Sequence, residues 1–493
     1  MDLVTDPRRE SALGIDRGRR PVRATVGLLV GAAGVAVAYA MSAFMGAAVV
    51  LCVLVGVLII TPLALRLWTD TFDLFEPVTI ISIVYFVYFV VGPLARIATD
   101  DLSFIGRSSE ADFVPVLVAI AVAVSAMWLG YALPIGPRPA LRDTPLSSET
   151  VDSVRYGRRM AGLLVVMAGL GIIVWARLAG RSLRYFLLPG VSQAADAGQG
   201  GTDIPYFFFA VEWFIPAVAV LIATDGLRGR FARTALIAFV TVMYVSIGFR
   251  YRIAVLWFAA GIVAYLRVGR RPRVLHLVVP CSLAFLGAGW LAAAREFFRS
   301  GGAAGSLGFD LRSALLAGLS DTRIFETFGA VLATVPRFLP YAGITPFAYP
   351  FLLWIPRFVW PGKPVPFWLG YVGQSIGTPE TFGAGAAVPQ FGEFYIAFGW
   401  PGIMIGMFIF GAAAKWLWRW YRASPDDPWR QAIFALNASL LFLAIIRGYF
   451  AQIAQEWCFV VLPAVVIAAL ARRRARRAAG RAVGRSAEVV ADA

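Results

Sequence analysis

The chain has 493 residues, of which 59% are hydrophobic and only 15% are charged. Apolar runs longer than about 18 residues recur along it, a pattern that excludes a soluble globular protein. The formal net charge is +16, but the basic residues cluster in short segments between the apolar runs. We therefore attribute this charge to the orientation of membrane spans, and we expect no nucleic-acid partner.

About twelve spanning helices are predicted from apolar stretches of about 17 to 22 residues. In chain order they lie near residues 22–40, 45–65, 77–95, 112–133, 160–178, 205–224, 234–249, 253–267, 274–294, 396–416, 430–446 and 450–471. The basic segments alternate with these crossings so that both termini are predicted to face the cytoplasm. The predicted fold is thus an all-α, multi-pass membrane domain over 22–471, flanked by basic cytoplasmic segments at 1–21 and 472–493.

One predicted outer loop, residues 295–395 between the ninth and tenth spans, is long enough to form a site of its own. Its centre, residues 336–368, combines many prolines with tryptophan, tyrosine and phenylalanine. Proline interrupts spanning helices, whereas aromatic side chains suit the headgroup region of a bilayer. The loop is therefore predicted to form short interfacial helices and turns on the outer leaflet.

The polar residues exclude several kinds of site. Cys52, Cys281 and Cys458 each lie within an apolar run without metal-type spacing, so we expect no disulfide, zinc or iron–sulfur site. The sole histidine, His276, begins a span on the predicted cytoplasmic side, so neither a Ser-His-Asp triad nor a histidine metal site can be assembled. We expect no metal and no other cofactor.

Arginines on the predicted outer face are the main candidates for a binding site. Arg250 and Arg252 lie in "GFRYR" between the seventh and eighth spans, and Arg295 and Arg299 follow the ninth. Burying a guanidinium in a membrane costs a few kcal/mol, so each of these groups needs a partner. Arginine matches phosphate oxygens well, which favours a diphosphate ligand for the cluster. Pairing with nearby carboxylates, or contact with lipid phosphates, is the alternative for any single arginine.

Two carboxylates are candidates for the base that takes a proton from an attacking hydroxyl. Glu393, in "FGEFY", directly precedes the predicted tenth span, and Glu456 lies about six residues inside the last one. A carboxylate at either position needs a cation or a proton. A structural ion pair with Arg447 or Arg295 explains each of them equally well.

Several motifs resemble the oligosaccharide repeat unit polymerases, the O-antigen polymerase (Wzy-type) family. They are "IPRFVWPGKP" at 355–364, "FGEFYIAFGWPG" at 391–402, "FEPVTIISIVYFVYFVVGPL" at 75–94, and the "GFR" that follows the seventh span. The resemblance covers most of the membrane region, but not the first 20 residues or the basic tail.

The resemblance implies a GT-C-like membrane glycosyltransferase that joins polyprenyl-pyrophosphate-linked oligosaccharide units at the outer face of the plasma membrane, without a metal. It implies membrane lipids, a chain-length regulator and a flippase as partners. For the pyrophosphate contacts it suggests Arg250 and Arg295 first, and then Arg357, Lys363 and Arg447. Trp354, Trp360 and Trp368 are candidates for stacking on sugar rings, although anchoring at the interface explains each of them as well.

Three other functions remain open at this point. A lipid-linked oligosaccharide flippase would also use arginines, but it should carry them along the middle of its spans. An O-antigen-ligase-like transferase would have a similar layout, but such ligases use an outer histidine that this chain lacks. A secondary transporter should show inverted repeats and broken helices, and we find neither in the sequence.

Overall fold

The computed structural model of the chain is helical in its described part, apart from one short antiparallel hairpin. The described residues are 46–69, 71–98, 103–104, 107–108, 113–137, 148–178, 209–226, 230–247, 250–268, 324–355, 359–364, 367–368, 370–371 and 387–491.

The helices carry labels in chain order. They are α1 (Ala47–Trp68), α2 (Pro77–Phe86), α3 (Gly92–Ala98), α4 (Phe113–Ala132), α5 (Ser148–Leu178), α6 (Phe214–Ala223), α7 (Arg230–Ile247), α8 (Arg250–Val268), α9 (Ile324–Thr334), α10 (Thr345–Leu353), α11 (Gln390–Arg422), α12 (Pro428–Ile446), α13 (Phe450–Val460) and α14 (Leu462–Ala491). A π-helical segment, Val87–Val91, joins α2 to α3, and a 3-10 turn, Ala210–Trp213, leads into α6. Strands β1 (Ser103–Phe104) and β2 (Arg107–Ser108) form the hairpin, with Ser103 opposite Ser108.

Eight helical segments of the described part are long and apolar enough to cross a membrane, and three shorter apolar helices accompany them. The described part is therefore that of a predominantly helical, polytopic membrane protein. The predicted spans 22–40 and 274–294 lie outside the described residues. The predicted spans 205–224 and 234–249 correspond to two of the shorter helices, so the total of about twelve stays a prediction.

Helix α11 differs from its predicted bounds of 396–416. It begins at Gln390 and is interrupted at Gly399, whose φ of 66° is not helical. Tyr341 packs against this glycine so closely that a Cβ at position 399 would lie 2.7 Å from the tyrosine hydroxyl oxygen. Glycine tolerates positive φ and leaves room for the ring. The residues just before the kink form a separate helical segment, and this segment carries Glu393.

The buried side chains form two clusters. One packs α1, α2 and α4 against α9 and α11. The other packs α5 to α8 against α12 and α14. Helix α12 contributes side chains to both clusters. Large apolar side chains such as Leu129 and Phe231, exposed by 66% and 87%, point away from the clusters, as expected for surfaces that contact lipid.

Helix α12 defines two ends of the molecule. It starts at Asp427, whose side chain accepts a hydrogen bond from the amide of Trp429 at 2.9 Å, and it stops at Arg447. An Asp cap followed by proline at the first helical position is a strong start signal. We call the two ends the Asp427 end and the Arg447 end. Helix α11 runs the opposite way, from Glu393 near the Arg447 end to Arg422 near the Asp427 end.

Two glycines bring the backbones of α4 and α11 into contact. A Cβ on Gly130 would lie 2.0 Å from the carbonyl oxygen of Phe408, and a Cβ on Gly411 would lie 1.9 Å from that of Met127. Small residues at helix crossings permit such close approach in membranes, where packing drives helix association. The crossing fixes the part of α11 that follows the kink at Gly399.

Replacing Gly130 with alanine is expected to lower the free energy of unfolding by about 1–3 kcal/mol, because the methyl group forces α4 and α11 apart. Thermal or denaturant unfolding in detergent measures this effect. Gly169→Ala in α5 is the matched control, since no atom lies within 4 Å of its added Cβ. The control is expected to keep or slightly raise stability. Equal losses in the two variants would contradict the close crossing.

Candidate functional site

A buried ion pair joins Glu212 to Arg252 at the Arg447 end. Glu212 lies in the 3-10 turn before α6, and Arg252 lies in the first turn of α8. The Nε of Arg252 donates to Glu212 Oε1 at 3.0 Å, and its Nη2 bonds the same oxygen. Arg252 is 1% exposed and Glu212 is fully buried. This ion pair links α8 to the turn before α6. Removing one partner of such a buried pair strongly destabilises a protein, because the other charge is left buried without compensation.

Tyr251 extends this pair to a second carboxyl group and a second guanidinium. Its hydroxyl donates to Glu456 Oε1 at 2.9 Å, and the carboxyl groups of Glu456 and Glu212 are adjacent. The guanidinium of Arg447 lies over the Tyr251 ring, 5.4 Å from its centroid. We call Glu212, Tyr251, Arg252, Glu456 and Arg447 the arginine–carboxylate cluster. It joins α8, α12, α13 and the 3-10 turn.

Arg447 is the cation of this cluster that lacks a carboxylate partner. It follows the last residue of α12, is half-buried, and forms no ion pair with any residue of the described ranges. Its ring contact with Tyr251 orients the guanidinium but leaves the hydrogen-bond donors of that group for another acceptor. Arg447 is therefore the best placed cation, among the residues that the structure describes, to receive an anionic ligand.

Glu393 forms a second carboxylate site close to the cluster. Its Oε1 accepts a hydrogen bond from Trp368 Nε1 at 2.8 Å, and its Oε2 accepts one from the amide of Phe450. The side chain is fully buried. Beside it, burial and the carboxylate of Glu393 raise the pKa of the Tyr449 phenol, while Arg447 opposes this shift. The phenol therefore stays protonated at neutral pH.

The turn at residues 447–450 connects the two carboxylate sites. Arg447 lies at one end of the turn, beside the Tyr251 ring. At the other end, the amide of Phe450 donates a hydrogen bond to Glu393. Its centre is fixed because the amide of Gly448 donates to the carbonyl of Val388 at 2.8 Å. A Cβ on Gly448 would lie 2.4 Å from the backbone of Gln390. Only glycine permits this contact, which holds the guanidinium and the carboxylate at the same end of the molecule.

Gln390 is a buried polar residue of this site that the sequence did not single out. It is 5% exposed, and among the described residues neither its amide nitrogen nor its amide oxygen has a hydrogen-bond partner. Unsatisfied buried polar groups are rare in folded proteins and call for an explanation. Gln390 begins α11 one helical turn before Glu393, so a donor and an acceptor stand next to the carboxylate site.

A further buried ion pair lies at the Arg447 end. Arg96 of α3 pairs with Glu326 of α9, with side-chain exposures of 15% and 4%. The pair joins the end of α3 to the segment that follows the undescribed residues 269–323. No sequence spacing relates these two positions, which are 230 residues apart in the printed numbering.

The other residues proposed from sequence fall into three groups. Lys363 is 7% exposed, with its ammonium donating to the carbonyl of Ile355 at 3.1 Å and lying 5.8 Å from the Tyr349 ring centroid. Arg250 begins α8, but its side chain lies outside the described set. Arg295, Arg299 and Arg357 also lie outside the described residues. Their roles stay predictions.

The three tryptophans proposed for sugar stacking differ in exposure. Trp354 and Trp360 are 47% and 38% exposed, whereas Trp368 is 1% exposed. Tyr349 and Phe367 pack edge-on against Trp368, and its indole nitrogen is bonded to Glu393. In this conformation Trp354 and Trp360 have surface for a ligand, and Trp368 positions the carboxylate. Stacking on sugars stays a prediction for all three.

Within the described ranges, no group of three or more His, Cys, Asp or Glu side chains is arranged to hold a metal ion. Comparisons with protein-family models, with curated proteins and with solved structures give no match.

Proposed function

We propose that the chain is a membrane glycan polymerase. It would transfer an oligosaccharide chain from a polyprenyl diphosphate carrier to another lipid-linked repeat unit at the outer face of the plasma membrane. The observation that carries this proposal is the 447–450 turn. It places a half-buried guanidinium, which has no carboxylate partner among the described residues, next to a buried carboxylate site. The motif resemblance described above supports the same reaction class.

Arg447 is the residue we propose for the diphosphate. As the sugar leaves its carrier, negative charge grows on the diphosphate oxygens, and a fixed guanidinium lowers the barrier by preorganised electrostatic stabilisation. Arginine offers paired donors that match phosphate oxygens. Arg252 has a different task in this proposal, since its guanidinium is already bonded to Glu212. It positions α8 and Tyr251, and thereby Arg447.

The proposed reaction has one bond formed and one bond broken. The hydroxyl oxygen of the acceptor sugar attacks the anomeric carbon of the donor, and the bond from that carbon to the diphosphate breaks. The hydroxyl proton passes to a carboxylate, for which Glu393 and Glu456 are the candidates, and the polyprenyl diphosphate leaves as an anion. Glu393 is covered by the 447–450 turn, so an acceptor reaches it only when that turn moves.

Two further observations support the proposed layout. Two buried ion pairs of the described part, Arg252–Glu212 and Arg96–Glu326, lie at helix ends, whereas a flippase should line the middle of its spans with charge. The Asp427 end carries many arginines, among them Arg66, Arg158, Arg267, Arg419, Arg430 and Arg472. An excess of arginine is typical of the cytoplasmic side, which supports an outer position for the Arg447 end.

Reconstitution separates the proposed polymerase from a flippase. The purified chain is placed in liposomes and supplied with lipid-linked repeat units from the native host on the side of the Arg447 end. The polymerase function predicts a ladder of longer lipid-linked glycans without any nucleotide sugar. Units that cross the bilayer without growing in length would assign the chain to the flippases instead.

A further inference from the structure

A second polar cluster surrounds Glu76 at the Asp427 end, far from the arginine–carboxylate cluster. Glu76 is 1% exposed and directly precedes α2. Its Oε1 accepts hydrogen bonds from Arg66 Nη2 and from the hydroxyl of Tyr131, each at 2.7 Å. The carboxylate thus has one close cation and one neutral donor, which satisfies a buried acidic group.

Two more cations lie beside this satisfied carboxylate. The ammonium of Lys415 is 4.0 Å from Glu76 Oε1 and 4.8 Å from the centroid of the Tyr131 ring. Arg419 follows one helical turn later on α11, and both Arg66 and Arg419 are close enough to Lys415 to repel its charge. Arg66, Lys415 and Arg419 therefore surround the single carboxylate of Glu76. These four groups together carry two more positive charges than negative ones.

The surroundings of these cations have the character of a lipid-facing headgroup region. Trp68, the last residue of α1, is 79% exposed, and Leu129 near the end of α4 is 66% exposed. Trp416, next to Lys415, is 48% exposed and stacks on Trp420 with ring centroids 6.4 Å apart. Tryptophans concentrate where the hydrocarbon region meets the headgroups. The exposed tryptophans beside the three cations therefore support a position of these cations near the lipid phosphates.

We propose that Arg66, Lys415 and Arg419 bind the phosphate of an anionic phospholipid. A phosphate brings the negative charge that the three cations lack, and it accepts several charge-assisted hydrogen bonds at once. Arg66 uses one of its five donors on Glu76, so its guanidinium links the lipid phosphate to the buried carboxylate. The acyl chains would lie along the exposed apolar surface of α1 and α4. This site does not depend on the proposed polymerase function.

The test removes two cations and leaves the Arg66–Glu76 pair intact. The full chain with Lys415→Gln and Arg419→Gln is compared with the unaltered chain in detergent, with phosphatidylglycerol or phosphatidylcholine added, by native mass spectrometry and thermal unfolding. The unaltered chain is expected to retain phosphatidylglycerol about 10- to 100-fold more tightly than the double variant, since two charge-assisted hydrogen-bond partners are lost. Phosphatidylcholine is expected to bind both proteins equally weakly.

The matched control removes two charges at the same end but outside the site. Arg422→Gln with Arg473→Gln alters two exposed arginines and is expected to change retention by less than about threefold, because exposed charges are screened. If the double variant does not fold, the single variant Arg419→Gln replaces it. Equal retention in the site variant and the unaltered chain would overturn the proposal. Stabilisation by inorganic phosphate alone, without a lipid preference, would overturn the lipid as the ligand.

Discussion

Replacing Arg252 with methionine is expected to lower the free energy of unfolding by about 3–5 kcal/mol. The substitution keeps much of the side-chain volume but leaves Glu212 buried without its cation, and an uncompensated buried charge has a cost of this size. Denaturant or thermal unfolding in detergent measures the loss. The double variant Arg252→Met with Glu212→Leu is expected to recover most of the stability, because neither charge then remains.

The control for this prediction is an ion pair that lies at the surface. Arg233 pairs with Asp225 at 3.1 Å, with side-chain exposures of 24% and 55%. Arg233→Met is expected to cost about 0–1 kcal/mol, the range for exposed pairs. A loss in Arg252→Met no larger than that in Arg233→Met would show that the buried pair does not hold α8 in place. Failure of the double variant to recover stability would contradict the charge argument.

Replacing Arg447 with glutamine is expected to slow glycan chain growth by about 10²–10³-fold. The guanidinium is proposed to stabilise the departing diphosphate, and glutamine cannot supply its charge. Stability should change little, because Arg447 forms no ion pair with described residues. The measurement is the rate of ladder formation from lipid-linked repeat units at equal protein levels. Arg447→Lys is expected to keep part of the activity, since the charge stays but the paired donors are lost.

Arg337→Gln is the matched control for this substitution. Arg337 lies at the same end of the molecule, is exposed, and contacts the Phe338 ring at 5.2 Å. Its loss is expected to leave chain growth unchanged, because an exposed cation outside the cluster has no fixed geometry. Chain growth at the normal rate in Arg447→Gln, with the protein folded, would remove Arg447 from the site.

Most residues of the candidate site could be identified from the sequence, because they are charged residues within or beside apolar runs. The cost of burying Arg252 requires a partner, and the structure supplies Glu212. The partners themselves were not predictable. An ion pair with Arg447 or Arg295 was one of two alternatives for Glu456, but among the described residues its side-chain hydrogen-bond donor is the hydroxyl of Tyr251, 205 positions earlier. Such contacts depend on how α8 and α13 rotate against each other, and a single sequence carries no signal for that rotation.

The helix bounds show a similar limit. Hydropathy placed the start of the tenth span near residue 396, because the polar Gln390 and Glu393 dilute the apolar pattern before it. The structure continues the helix to Gln390, since Glu393 is satisfied by Trp368 and by the Phe450 amide. Tertiary hydrogen bonds thus outweigh local polarity. The tight contacts at Gly130 and Gly448 were equally invisible, because glycine in a sequence does not reveal which backbone approaches it.

The proposed function requires that the Arg447 end faces away from the cytoplasm, and cysteine labelling measures this orientation. After Cys52, Cys281 and Cys458 are replaced by alanine, Arg337→Cys and Asp426→Cys are made singly. Both positions are exposed, one near each end of α11. A membrane-impermeant maleimide on intact cells is predicted to label position 337, and to label position 426 only after permeabilisation. The reverse pattern would place the Arg447 end in the cytosol and contradict an outer-face polymerase.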